Sequence, residues 1–192
     1  MKVFSCSSDF DYSWDEVSTG NWQKYSPWNK KAPHVIAVDT LSRTVDAATG
    51  ILRTERLITT KQESPRWIKA LLGDCETSLV YETSYVDPAA KTVTLCSHNL
   101  TWTNILSVRE TVTYSPSKTS PLTKTLMTQR AEITAIAGGW ERIKNKIESF
   151  SVERFQQNAE NGKAGFEMVL ARAREVFQEE RNSTMAKQAA IA

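Results

Sequence analysis

The chain has 192 residues, 40% of them hydrophobic and 24% charged, which suits one ordinary folded domain with a core and excludes a disordered polymer. Lys and Arg number 24 against 22 Asp and Glu, and this net charge of +2 argues against a general nucleic-acid binder, which carries a larger basic excess. No stretch approaches the roughly 20 apolar residues of a spanning helix. The N-terminal segment also lacks a secretory apolar region, and with Asp9, Asp11, Asp15 and Glu16 it is too acidic for a mitochondrial presequence.

Residues 2–7 open with a strand pattern. Ser13 and Glu16 stand at the spacing of a capping box, predicting a helix that ends near Tyr25 because Pro27 disfavours helix at Ser26. Residues 28–33 read as a loop. Residues 34–39 read as a strand, alternating or buried throughout, 46–50 as a turn, and 52–60 as the strand's mate. Segments 79–86, 92–97, 105–114 and 123–135 are rich in Val, Thr, Tyr and Ile and are separated by polar turns, as at Asp87 and Pro88. Their close spacing predicts an antiparallel meander rather than βαβ units.

One interruption stands out. Ser64 suits an N-cap, Pro65 a first helical position and Gly73 a C-terminal cap, predicting a short helix. Its apolar set is Trp67, Ile68, Leu71 and Leu72, flanked by Arg66 and Lys69. From Trp140 to about Glu180 there is no proline, and Ile143, Ile147, Phe150, Phe155, Phe166, Leu170 and Phe177 recur at near-helical spacing. Asn161 and Gly162 are expected to bend this long helix. Residues 1–181 are expected to form a single domain, and 182–192 a disordered tail. The fold class is α+β: a curved antiparallel sheet of six or seven strands around one long C-terminal helix, with a lipid-sized hollow between them.

The chain carries no nucleophile elbow, zinc-protease motif, P-loop or dinucleotide fingerprint, so no catalytic residue is expected. Cys6, Cys75 and Cys96 form no C-x-x-C pair, and His34 and His98 are the two histidines, so neither a metal nor another cofactor is expected. Gly138 and Gly139 read as helix punctuation, and Asp39 and Asp46 as a strand end and a turn. Lys24 reads equally as a helix-closing cation and as a site cation. His34 is a lone histidine at a strand start. Arg56 shares a face with Thr54 and Ile58 on strict alternation and points inward, where it needs an anion or a partner; Glu55, on the other face, is a poor one. Arg154, Asn158 and Asn161 form one helical stripe, which by itself reads more readily as a solvent face than as phosphate donors.

Short blocks at 34–39, 54–59, 65–67, 110–114, 151–155, 158–159 and 162–166 occur in an order and spacing that resemble the PRELI family of intramitochondrial lipid-transfer proteins. The opening residues 1–4, with Phe10, Tyr12, Trp14, residues 22–25 and residues 56–62, are similar to the fungal phosphatidylserine-transferring, Slowmo-like branch. The segment 59–63 is less basic than in the phosphatidic-acid branch, which suits a headgroup with its own ammonium. The resemblance implies a carrier of the mitochondrial intermembrane space that moves phosphatidylserine between outer and inner membranes without catalysis. It implies a lipid site lined by Lys24, His34, Arg56, Arg154 and Asn158, with Asn161 where the sister branch tends to have lysine. It implies a mobile lid, with Lys61, Pro65, Arg66, Trp67, Lys69, Leu71 and Leu72 meeting anionic membranes. It also implies a small helical twin-cysteine partner protein. On this reading Arg56→Glu abolishes transfer with the fold intact. A phosphatidic-acid carrier and a protein-binding scaffold are the alternatives, and a hydrolase on this fold is a distant third.

Overall fold

The computed structural model describes residues 1–61, 66, 67, 69, 77–136 and 141–189, without the side chains of 177, 178 and 180–189. Its strands are β1 (Lys2–Phe10), β2 (Val35–Val45), β3 (Leu52–Lys61), β4 (Thr77–Asp87), β5 (Thr92–Asn99), β6 (Leu106–Pro116) and β7 (Thr125–Ala135). They form one antiparallel sheet in the order β1-β7-β6-β5-β4-β3-β2. The expected meander is therefore β2 to β7, and β1 returns to pair with β7 from Lys2 opposite Ile133 to Phe10 opposite Thr125.

Alternation sets the two faces. Along β7, Thr125, Met127, Ala131, Ile133 and Ala135 are buried on the inner face, while Thr128 and Glu132 between them are exposed. The registers then align a polar rung across the inner face. Thr40 opposes Arg56, Arg56 opposes Glu82, Glu82 opposes Ser97, and Ser97 opposes Glu110. This rung is the structural origin of the site.

Strand β2 corrects the expectation of a strand alternating or buried throughout. It is an edge strand with register shifts between Val35 and Ala37 and between Thr40 and Ser42. The skipped residues, Ile36 and Leu41, are 55% and 56% exposed. Bulges of this kind twist an edge and discourage further strand pairing. The following turn forms as read: Asp46 Oδ1 accepts from the backbone of Ala48 and Thr49, and Gly50 adopts φ +72°.

Helix α1 (Trp14–Gly20) starts on the predicted capping box, with Ser13 Oγ accepting from the Glu16 N–H and the Glu16 carboxylate accepting from the Ser13 N–H. It stops earlier than expected. Gly20 faces the long C-terminal helix so closely that a Cβ there would lie 2.7 Å from Leu170 Cδ2, and the chain tightens into a 3-10 turn over Asn21–Gln23.

Helix α2 (Glu141–Ala189) runs without interruption through Asn161 and Gly162. No atom crowds Gly162 within 4 Å of where a Cβ would be, and a glycine whose neighbours are undisturbed costs about 1 kcal/mol without breaking a long helix. The helical backbone also continues past Arg181, where the sequence reading ends the domain. The expected short helix at 64–73 lies outside the described residues, except that Arg66, Trp67 and Lys69 are helical.

The core gathers at one end. Phe10, Tyr114 and Phe166 meet with ring centroids 5.5–6.2 Å apart, joined by Trp14, Val17, Val112, Val169 and Leu170. Because α2 packs chiefly on β1, β7 and α1, the inner face of the middle strands is left partly open beneath it.

Candidate functional site: a polar-ended cavity between sheet and helix

The cavity lies between the middle strands, the 21–35 segment and α2, with a volume of about 240 Å³. Its walls include Ile58, Val80, Leu95, Val112 and Phe155, so part of the lining is apolar. The polar end is built on the rung. Arg56, 4% exposed, sends Nε and Nη2 to one oxygen of Glu82, at 2.9 and 2.5 Å, and Glu82 is itself 6% exposed. The inward arginine therefore has its partner across the strand pair, and its guanidinium also lies over the rings of Trp22 and Tyr25 at 5.4 and 5.9 Å. Glu110, farther along the rung, accepts from Ser97 Oγ at 3.1 Å and from Gln129 Nε2.

Lys24 enters from the end of the 3-10 turn. Burial works against its charge, yet Tyr114, Tyr25, Glu110 and Glu82 together outweigh that and hold the ammonium above the ordinary lysine range. The turn is anchored by Asn29, whose Nδ2 donates to the Lys24 carbonyl at 2.6 Å and whose Oδ1 accepts from the Lys31 N–H. His34 stands just before β2. Burial first, and the nearby Lys24 second, lower its pKa below the usual histidine value, so it is neutral at pH 7. Counting permanent charges, Lys24, Arg56 and Lys163 face Glu82 and Glu110, which leaves the lining at +3 − 2 = +1.

Residues 15–176 match the PRELI-like family. The chain belongs to it. Protein UPS2, mitochondrial, of Saccharomyces cerevisiae is 49% identical over 170 residues, spanning 88% of this chain and 73% of that protein. UPS-like protein C36.10 of Schizosaccharomyces pombe is 48% identical, spanning 88% and 89%, and the slowmo homolog of Dictyostelium discoideum is 34% identical, spanning 88% and 72%. Among solved structures, the Zhui aromatase/cyclase from Streptomyces sp. R1128 aligns with TM-score 0.59 at 9% identity, over 89% of this chain and 94% of that one. A START superfamily protein from Mycobacterium smegmatis aligns with TM-score 0.52 at 11% identity, over 87% and 98%. At such identities these two show that the fold is shared and nothing about activity.

In this PRELI-like chain, Lys24, His34, Arg56 and Asn158 line one cavity, as does Asn161. Arg154 is not among the lining residues; its guanidinium lies 5.2 Å from the Phe150 ring centroid, one turn before Asn158. The helical stripe is thus split, with Asn158 and Asn161 on the cavity and Arg154 at its margin. Lys61 ends β3 exposed, its backbone N–H bonded to the His34 carbonyl at 2.7 Å. Arg66 is exposed and Lys69 half-buried, while Trp67 is half-buried, meeting Phe150 edge-on at 5.7 Å beneath the Lys146 ammonium at 4.4 Å. Pro65, Leu71 and Leu72 lie outside the described residues.

Sequence reasoning missed Glu82, Asn21, Asn29, Tyr114 and Lys163 as site residues, and took Glu110 only as the start of a family block. Glu82 shares the parity of an inward position on its strand. However, the long 62–76 connection, unlike a two-residue hairpin, does not set which residue faces Arg56.

Proposed function

We propose that this chain is a phospholipid carrier of the mitochondrial intermembrane space, taking phosphatidylserine between outer and inner membranes with no bond made or broken. The observation that carries the reading is the cavity: a partly apolar wall under α2 that ends in Arg56, Glu82 and Glu110 on one rung of the sheet, with Lys24 and Lys163 facing them. Family membership, and a relative whose name places it in mitochondria, support the setting.

Phosphatidylserine fits the charge. Its phosphate and carboxylate carry two negative charges and its ammonium one positive, a net −1 against the lining's +1. A phosphate monoester near −1.5 to −2 carries no ammonium to offset its repulsion from Glu110. Lys24 and Arg56 meet the phosphate, His34 and Asn158 complete the polar end, and Arg154 guides the headgroup at the margin. The cavity's 240 Å³ is below the roughly 300–1,000 Å³ of small-molecule pockets, so it suits a headgroup. Acyl chains then need α2 and the sheet to part, on the side where Trp67 rests on Phe150. There Arg66, Lys69 and the neighbouring Pro65, Leu71 and Leu72 act as a lid that meets anionic membranes, with Lys61 at its hinge. A small helical twin-cysteine protein binds the carrier.

The test is transfer of labelled phosphatidylserine and phosphatidic acid between liposomes by the chain co-expressed with such a partner. Phosphatidylserine transfer is expected. Transfer of phosphatidic acid alone would keep the carrier and reverse its lipid, and transfer of neither by a folded complex would favour a protein-binding scaffold.

A further inference from the structure

Two buried polar side chains of the cavity keep unused hydrogen-bonding groups among the described residues. Asn21, 1% exposed, has neither Oδ1 nor Nδ2 engaged, and Tyr114, also 1% exposed, has a hydroxyl beside the Lys24 ammonium whose own O–H is given to no acceptor. Both line the cavity. Such groups are costly to leave unpaired, so most buried polar atoms in folded proteins do find partners. Two lining one cavity point to a ligand that completes them.

Their surroundings define what that ligand is. Asn21 and Lys24 are three apart on the 3-10 turn, where side chains at that spacing eclipse and project the same way. The Lys24 ammonium is drawn to Tyr114 and to Glu110. Glu110 takes its hydrogen bonds from the neutral donors Ser97 and Gln129, whereas Glu82 is already bonded to Arg56. The cavity therefore offers the donors Asn21 Nδ2 and Tyr114 O–H beside the Lys24 cation, the open acceptor Asn21 Oδ1, and the Glu110 carboxylate, whose charge its neutral donors leave in place. An amide with both ends open pairs with a group that both accepts and donates. A bare phosphate only accepts at neutral pH and an ethanolamine ammonium only donates, whereas an α-ammonium with its carboxylate does both.

We infer that Asn21, Tyr114 and Glu110 form a reader for the amino-acid end of a serine headgroup, separate from the cations that hold its phosphate. Asn21 Nδ2 and the Tyr114 hydroxyl donate to the headgroup carboxylate, and Asn21 Oδ1 and Glu110 accept from its ammonium. The inference rests on the carrier reading above and names the residues that set its lipid choice. A site built to hydrogen-bond a group discriminates strongly against ligands that lack it, because its own buried polar atoms are then left unpaired.

The experiment compares wild type, Asn21→Leu and Tyr114→Phe, each with the co-expressed partner, for transfer of labelled phosphatidylserine, phosphatidylethanolamine and phosphatidic acid between liposomes, together with thermal unfolding of each protein without added lipid. Wild type is expected to prefer phosphatidylserine. Both near-isosteric variants should lose about tenfold in phosphatidylserine transfer with phosphatidic-acid transfer unchanged or raised. The unfolding midpoint of Asn21→Leu should stay level or rise, because that substitution removes an unpaired buried amide, and that of Tyr114→Phe should stay near wild type. Wild type that prefers phosphatidylserine, with variants that keep the wild-type lipid ratio, would overturn the inference alone. Variants that lose all three lipids equally and melt earlier would show a structural role and overturn it as well. Wild type that moves none of the three, or phosphatidic acid alone, would overturn it together with the phosphatidylserine reading.

Discussion

At the scale of the residue, Arg56 shows how a site cation is tuned. Its inward direction follows from strand alternation, but its charge is already shared with Glu82 in a buried pair. Burial makes the pair dependent on both members: removing one strands a charge, whereas removing both is tolerated. Arg56→Met should therefore cost about 3–5 kcal/mol of stability in chemical denaturation, and the double substitution Arg56→Met with Glu82→Gln should recover most of it. If the single substitution were harmless, the pair would not be buried as described. Arg56→Glu sets a second carboxylate beside Glu82 in the interior, so its expected loss of transfer has to be read together with a thermal melt of the same protein.

At the scale of the element, α2 both covers the sheet and positions the segment that carries Lys24. Gly165 is the contact. A Cβ there would lie 2.8 Å from Lys31 Cβ and 2.9 Å from Asn29 Oδ1, the same Asn29 that anchors the Lys24 carbonyl. Gly165→Ala should push this segment off the helix, costing about 1–3 kcal/mol, with the loss visible as a lowered denaturant midpoint and as faster amide exchange at 24–35. Exchange that stays as slow as in wild type would show that α2 does not brace the turn. At the other end of the same interface, Arg174 bonds the Glu16 carboxylate at 2.8 and 3.0 Å, so the residue that caps α1 also ties it to α2. Arg174, together with Ser13, keeps the Glu16 carboxyl below its ordinary pKa.

At the scale of the whole molecule, the described sheet is an open one with β1 and the bulged β2 at its edges, and the cavity is bounded by the 21–35 segment and α2 lying across it. On the proposed carrier reading, a cavity of about 240 Å³ has room for a headgroup and loading a two-chain lipid requires motion, for which the contact of Trp67 with Phe150 is the proposed gate. Trp67→Ala should slow uptake and release of long-chain lipid from liposomes several-fold while leaving the affinity for a soluble short-chain phosphatidylserine within about twofold, as expected when a contact gates access rather than holds the ligand. Equal loss of both would make Trp67 a structural residue.

Much of this was legible in the sequence because it is local. Capping at Ser13, the turn at Asp46, the parity that turns Arg56 inward and the helical period of α2 each depend on residues within a few positions of one another. The tertiary structure decided what depends on residues far apart in the chain. It set the register that joins Arg56 to Glu82 and continues to Glu110, because the long 62–76 connection leaves pairing to the packing of the faces. It left β2 on an exposed edge, since a strand's neighbours are a property of topology and not of its own alternation. It also brought Asn21 and Tyr114 into one cavity with the Asn21 amide unpaired, and whether a buried group finds a partner is determined only when the whole fold has closed around it.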